Sequence, residues 1–300
     1  MQGAAHRNIL YKMNTKTKML NKTVFLLFTL ILFSFRADQP LDKILAKFHD
    51  ANSEYVMVAA HRAAHNGYVE NSLSAIQNAL NLGVDIIELD VKVTTDSVVV
   101  LNHDGKIDRT TNGVGDPEKY SWAELQKFRL EMPDGTLTNE RLAKLEEALN
   151  LVKGKAMIDI DIKTGNLKPV VDAIKKTGTA HQVCFFDNDY DALKEVLTLL
   201  PEALLMPRAY DYNMADSALK VFTAEVIHID ESFYTPEVSE LIKRKNARIW
   251  INALGEPDDQ IRNGKQEQAL QDLLKHGANI IQTDEPEILI PLLEKKGLRK

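Results

Sequence analysis

From residue 55 to the C-terminus, short runs dense in β-branched and other apolar residues alternate with stretches whose apolar positions recur every three or four residues. The first pattern is that of a strand covered on both faces, the second that of an amphipathic helix. The runs at 55–60, 85–91, 156–162, 182–186, 203–207, 225–230, 248–252 and 279–282 predict eight strands with helices between them. Such alternation implies βα units and a parallel sheet. Eight units predict an α/β fold of the (β/α)8 TIM-barrel class. A ninth β-rich run, 98–102, follows the second strand after only Thr94-Thr95-Asp96-Ser97. That gap is too short for a crossover helix, so the run is expected to fold back as a hairpin extension.

Helix punctuation agrees with this division. Asn71 or Ser72 can cap a helix that stops at Gly83. Leu142, Leu145, Ala148, Leu149 and Val152 predict one apolar face of another helix, which ends at Gly154. Pro169, Pro236 and Pro286 fall near helix starts, where proline is tolerated. Leu41, Ile44, Leu45 and Phe48 predict a short helix ahead of the barrel. Residues 104–141 lie outside the βα rhythm and are expected to form a small insertion after the second strand, over one end of the barrel.

The 300 residues suffice for one barrel domain, 38–300, plus a leader, and 44% hydrophobic with 27% charged content is that of a globular protein. The single cysteine, Cys184, excludes an intrachain disulfide and a cysteine-based zinc cluster, and its apolar neighbours predict a buried thiol. Charge changes the picture more. Residues 1–36 hold Arg7, Lys12, Lys16, Lys18, Lys22 and Arg36 and no acid. Removing those six positive charges from the whole-chain net of −6 leaves −12 for the remainder. A body so acidic argues against a nucleic-acid partner, because phosphate contacts need Lys and Arg. In the leader, the basic residues precede the apolar run 24–35, the pattern of a secretory signal peptide or of a retained N-terminal anchor. The run is short of the roughly 20 residues of a membrane span. Export to the periplasm or outside the cell is expected, with membrane proximity where the leader is kept.

Active sites of this barrel gather at the C-terminal strand ends, and the polar residues do crowd there. Glu88 and Asp90 stand two apart on a strand and so share a face, between apolar Ile87, Leu89 and Val91. Asp161 comes from the next barrel strand. Carboxylates crowded at low dielectric repel, and a cation removes that cost. An oxygen-only set favours one divalent cation, Ca²⁺ or Mg²⁺; the alternative is an ionic network with Arg62 and Lys163 and no metal. His61 and His103 end their strands and are suited to acid–base work near neutral pH. Arg62 and Lys163 are suited to holding phosphate oxygens. Trp250 and Asn252, on the seventh strand, are candidates to contact ligand, with a core role for Trp250 weighed equally. His65 is a candidate for the entrance, while His181, His228 and His276 read as structural or exposed.

The chain resembles the glycerophosphodiester phosphodiesterase family in His61-Arg62, Glu70-Asn71-Ser72, the segment 83–91, Thr94-Thr95-Asp96, the segment 99–104 ending in His103-Asp104, the segment 108–115, Asp161-Ile162-Lys163, Trp250-Ile251-Asn252 and Thr283-Asp284-Glu285-Pro286. The resemblance spans residues 55–290. It implies a barrel with a small insertion after the second strand, and metal ligands at Glu88, Asp90 and Asp161. It also implies His61 and His103 as the acid/base pair, with phosphate contacts from Arg62 and Lys163. The implied reaction is attack of a glycerol hydroxyl on phosphorus, release of the alcohol and opening of a cyclic phosphate by water, giving glycerol phosphate from a small-molecule diester. Two positions depart from the family pattern. Ala63 stands where glycine is usual, which predicts a rearranged first loop, and Asp161 stands where glutamate is usual, which predicts a shifted ion.

Two other functions share these residues. A phospholipase C- or D-type enzyme acting on intact lipids would need an apolar rim, for which Tyr120, Trp122, Phe128, Leu130 and Met132 are candidates. A non-catalytic barrel capturing a phosphorylated ligand would be expected to lack a histidine or a metal acid, and all five are present. The sequence does not specify an oligomeric state.

Overall fold

A computed structural model describes residues 40–300; the leader read from the sequence lies outside them. The strands are β1 (Met57–Ala60), β2 (Ile86–Val93), β3 (Val99–Leu101), β4 (Met157–Ile162), β5 (Val183–Asp187), β6 (Leu204–Ala209), β7 (Val226–Ile229), β8 (Arg248–Asn252) and β9 (Ile280–Thr283). All except β3 run parallel, and β1 pairs with both β2 and β9, which closes an eight-stranded barrel. β3 lies antiparallel to the end of β2, with Val91 opposite Leu101 and Val93 opposite Val99. The expected strands are all present, with ends displaced by up to two residues.

The helices are α1 (Pro40–Phe48), α2 (Leu73–Leu82), α3 (Trp122–Leu125), α4 (Leu145–Val152), α5 (Leu167–Thr177), α6 (Tyr190–Leu199), α7 (Tyr212–Val221), α8 (Pro236–Arg244), α9 (Glu256–Arg262), α10 (Gln266–Leu274) and α11 (Pro286–Lys295). Ser72 caps α2, its hydroxyl accepting from the Ala75 amide. Gly83 ends the helix at φ 74, a left-handed conformation that a side chain disfavours. α4 begins at Leu145, and Leu142 packs instead with the insertion. Among the described residues, no helix is long and apolar enough to cross a membrane.

Side-chain alternation sorts the barrel into two layers. Ile87, Leu89 and Val91 of β2, Ile158, Ile160 and Ile162 of β4, and Ile249 and Ile251 of β8 join the helices in the main core. The intervening positions point inward. Low in the barrel they are apolar: Met57, Ile86, Met157, Cys184, Met206, Val226, Trp250 and Ile280 form one cluster with Leu41 and Phe48 of α1. Helix α1 thus plugs the N-terminal end. Arg248, fully buried, locks the plug by donating to the carbonyls of Lys47, Asp50, Tyr55 and Asn279 at 2.7–3.0 Å. Burial pulls its guanidinium down to about 10. High in the barrel the same inward stripes turn polar, and the site begins there.

The insertion has its own small core of Val69, Val100, Ile107, Leu125, Leu130 and Leu142. Tyr120, Trp122, Phe128 and Met132 pack against it, so these side chains build the lobe rather than an exposed apolar rim. Gly113 is required by close packing: a Cβ there would meet the Phe128 ring at 2.5 Å.

The C-terminus is tied back to the sheet. Arg299 pairs with buried Asp85 and the Gly83 carbonyl, while Asp85 also accepts from the Val58 amide at 2.8 Å and the Tyr55 hydroxyl at 2.9 Å. Arg299→Ala is expected to leave that carboxylate buried without its cation and to lower stability by about 3–5 kcal/mol; thermal or urea unfolding measures the loss.

Candidate active site

The polar upper layer lines a cavity of about 430 Å³. His61, Arg62, Glu88, His103, Asp161, Lys163 and Asn252 all line it, so seven of the nine residues singled out from the sequence share one space. Asp90 lies just beneath, fully buried. Trp250 does not reach the cavity. It stands one inward position below Asn252, is 1% exposed in the lower apolar layer, and donates from its indole nitrogen to Asn252 and Gln282 at 3.2 Å. It supports the cavity floor from below.

Sheet register brings the acids together. Glu88 is opposite Asp159, and Asp90 is opposite Asp161, across the β2–β4 ladder. Oxygens of Glu88, Asp90 and Asp161 all lie within 4.8 Å of one another, a group that could hold a metal ion. The shorter aspartate at position 161 still reaches the other two. Burial, reinforced by the charges of Asp90, Asp161 and Asp159, pushes the Glu88 carboxyl well above its usual range. Burial likewise raises Asp161 to about 6, although Lys163 pulls it down, and raises Asp159 well above normal. One oxygen each of Asp90 and Asp159 is buried without a hydrogen-bond donor. Unsatisfied, oxygen-only and mutually repelling, this set fits a hard divalent cation.

Each histidine is held from behind. His61 Nδ1 meets Asp284 Oδ1 at 2.8 Å, and His103 Nδ1 meets Asp104 Oδ1 at 2.7 Å. A carboxylate at Nδ1 selects the tautomer with hydrogen there, leaving Nε2 to work in the cavity. Asp104 sits far below the usual carboxylate range, chiefly because Arg109 donates to it. Arg109 also forks onto Glu70 at 2.6 and 2.7 Å, and Glu70 accepts from Arg62 at 3.1 Å. One chain of charge-assisted bonds therefore runs from Arg62 to His103. Asn71 fixes Asp90 from both sides, its amide donating to Asp90 Oδ2 at 2.8 Å and its oxygen accepting from the Asp90 amide at 3.1 Å. Lys163 reaches Asp161 at 2.7 Å and Asp90 at 3.7 Å.

The first loop keeps a tight turn despite the missing glycine. Arg62 and Ala63 both take positive φ, 50 and 66. Their amides bind the side chain and the carbonyl of Glu88 at 2.6 and 3.1 Å.

Several lining residues escaped the sequence reading. His228, read as structural or exposed, faces the cavity with Nε2 3.1 Å from Asn252 Oδ1, and burial with the nearby Arg208 charge lowers it to about 4. Phe186, Met206, Arg208 and Gln282 line the same space, as does Asp159, a polar position of the strand end already evident in the sequence. Their signal was parity: each lies two positions from an inward residue on its strand. Asp284 and Asp104 belong to recognised motifs, but their roles depend on neighbours that only the folded chain supplies.

Comparison with known proteins agrees with this geometry. The sequence pattern of the glycerophosphoryl diester phosphodiesterase family matches residues 61–287. A glycerophosphodiester phosphodiesterase from Caldanaerobacter subterraneus is 28% identical over 80% of this chain and 99% of its own length. One from Bacillus altitudinis is 28% identical over 79% of this chain and 98% of its own. Among solved structures, a glycerophosphoryl diester phosphodiesterase from Parabacteroides distasonis superposes with a TM-score of 0.75 at 24% identity, covering 85% of this chain and 92% of that one. An Oleispira antarctica phosphodiesterase, solved with the product sn-glycerol-3-phosphate, gives 0.69 at 22% identity over 81% and 99% of the two chains. With the family's sequence pattern running from His61 to the start of the last helix, over a closed barrel whose upper layer gathers its polar motifs, this chain belongs to the glycerophosphoryl diester phosphodiesterase family and is a phosphoric diester hydrolase.

Proposed function

We propose that the protein hydrolyses small glycerophosphodiesters to glycerol phosphate and an alcohol, with a divalent cation at Glu88, Asp90 and Asp161 and with His61 and His103 as the acid/base pair. The observation that carries this reading is the pairing of two carboxylate-backed histidines with a triad of converging carboxylates, Glu88, Asp90 and Asp161, at one cavity. One imidazole takes the proton of the attacking glycerol hydroxyl at Nε2. The other gives a proton to the departing alcohol oxygen, and the roles reverse when water opens the cyclic phosphate. Arg62 and Lys163 stand on the cavity wall with N–H groups to spare for non-bridging oxygens. The cation, when bound, stabilises charge that builds on those oxygens.

A small soluble diester is favoured over an intact lipid because Tyr120, Trp122, Phe128, Leu130 and Met132, the candidates for an apolar rim, are packed in the insertion's own core. The head-group side of the cavity is mixed. Phe186, Met206 and Leu254 offer apolar surface, while Arg208, paired with Asp230, and neutral His228 and Asn252 offer hydrogen bonds.

Release of glycerol phosphate from glycerophosphocholine, glycerophosphoethanolamine and glycerophosphoinositol is the primary test. His103→Ala is expected to lower kcat by about 10²–10⁴ with the fold intact. Equal activity in the variant and the wild type would remove His103 from the mechanism. Calcium or magnesium at 100 times its Kd is expected to stabilise the protein by about 2.7 kcal/mol in thermal unfolding, a gain abolished in Glu88→Gln. Because Asp161 is raised to about 6, it takes up a proton as pH falls through that value. Cation affinity should therefore weaken below about pH 6, and calorimetric titration at pH 5 and pH 7.5 measures the difference.

A further inference from the structure

His61 and Arg62 are carried on a turn that the backbone disfavours. Two consecutive residues with side chains, Arg62 and Ala63, take left-handed φ values of 50 and 66. Such a turn persists only where its surroundings over-determine it. Glu88 holds it from the barrel side through the amides of Arg62 and Ala63. The Asn71 amide binds the Arg62 carbonyl at 2.9 Å. On the outer side the clamp is His65. Its Nδ1 lies 3.0 Å from the His61 carbonyl and 3.2 Å from the Ala63 carbonyl. Both are acceptors only, so Nδ1 carries the hydrogen and donates across the turn. The other edge of the ring stands against Asp284, with Nε2 3.7 Å from Oδ1, the oxygen that holds the His61 ring at 2.8 Å.

His65 thus touches His61 at both ends, through its backbone carbonyl and through the carboxylate behind its ring. It does not line the cavity that holds the acids. It borders a separate side cavity of about 280 Å³ between the first loop and the insertion, beside Arg109 and Met132.

We propose that His65 is a positioning residue for His61, clamping the strained turn at Arg62–Ala63 and steadying Asp284, so that an alanine can stand where the turn favours glycine. This rests on the reading that His61 acts on the substrate. Loss of the clamp lets the turn relax; a displacement of the imidazole by a fraction of an ångström is costly to proton transfer, while diester binding is largely kept because Glu70 still holds the Arg62 guanidinium and Lys163 lies just beyond β4.

The test is a set of steady-state measurements on the full-length protein at saturating divalent cation, with glycerophosphodiester as substrate and thermal unfolding alongside. His65→Ala is expected to lower kcat about tenfold or more with KM changed by less than about threefold. His65→Asn is expected to recover most of that loss, because its carboxamide nitrogen sits where Nδ1 does and can donate to the same carbonyls. Ala63→Gly, introduced into His65→Ala, is expected to restore part of kcat, since glycine adopts positive φ without a Cβ clash. Three results would overturn the proposal: wild-type kcat in His65→Ala, a lowered melting temperature there with kcat unchanged, or no recovery from either His65→Asn or the Ala63→Gly background. A His61→Ala control separates the two readings. If it stays active, the acid/base assignment of His61 fails and the positioning role with it; if it is inactive while His65→Ala keeps the wild-type kcat, only the positioning role fails.

Discussion

Four carboxylates, Glu88, Asp90, Asp159 and Asp161, project inward from two adjacent strands at the barrel mouth, and the upper half of the molecule is organised around that repulsion. Left alone, such a group raises its own protonation, as Glu88, Asp159 and Asp161 do. Positive and donor groups offset part of that charge: Lys163 just beyond β4, the Arg62 side chain and amide from the first loop, and Asn71 reaching down from the start of α2. One oxygen each of Asp90 and Asp159 still finds no donor. Glu88, Asp90 and Asp161 converge closely enough to hold a metal ion, and an ion there would stand beside the histidines and the arginine lining the same cavity.

The lower half of the barrel supplies the rigidity this requires. The inward stripes of the same strands change from apolar to polar as they rise, so one β2 strand carries Ile86 in the core and Glu88 in the site. Helix α1 and the buried Arg248 seal the bottom, and the Asp85–Arg299 pair ties the chain's end to the start of β2. The acids are therefore held on a closed ladder rather than on loops, which limits how far they can separate to relieve their repulsion. The histidines, by contrast, sit just beyond strand ends and depend on partners: Asp284 for His61, and Asp104 for His103, the latter locked by Arg109 and Glu70.

The motifs acquire physical content from these contacts. In Glu70-Asn71-Ser72, the glutamate joins two arginines, the asparagine fixes a buried aspartate, and the serine caps α2. In the segment 108–115, Asp108 accepts from the Gly115 amide at 2.7 Å, Arg109 braces His103 through Asp104, and Gly113 makes room for Phe128. Spacing along the chain shows that such residues recur together. It does not show which bond each one makes.

The eight-strand rhythm, the hairpin at β3, the inward pair Glu88 and Asp90, and the cap and stop of α2 were legible in the sequence, because each depends on local periodicity or on one residue's conformational preference. Tertiary structure decided the remainder. Closure of β1 against β9 brings Asp284 to His61 across 223 residues of sequence separation, a contact no local pattern encodes. Packing placed Trp250 in the core and His228 in the cavity, although the two stand opposite each other on neighbouring strands. The alanine at position 63 disfavours positive φ by its own steric preference. The folded chain holds the left-handed turn there all the same, because hydrogen bonds from Glu88, Asn71 and His65 converge on it from three separate directions.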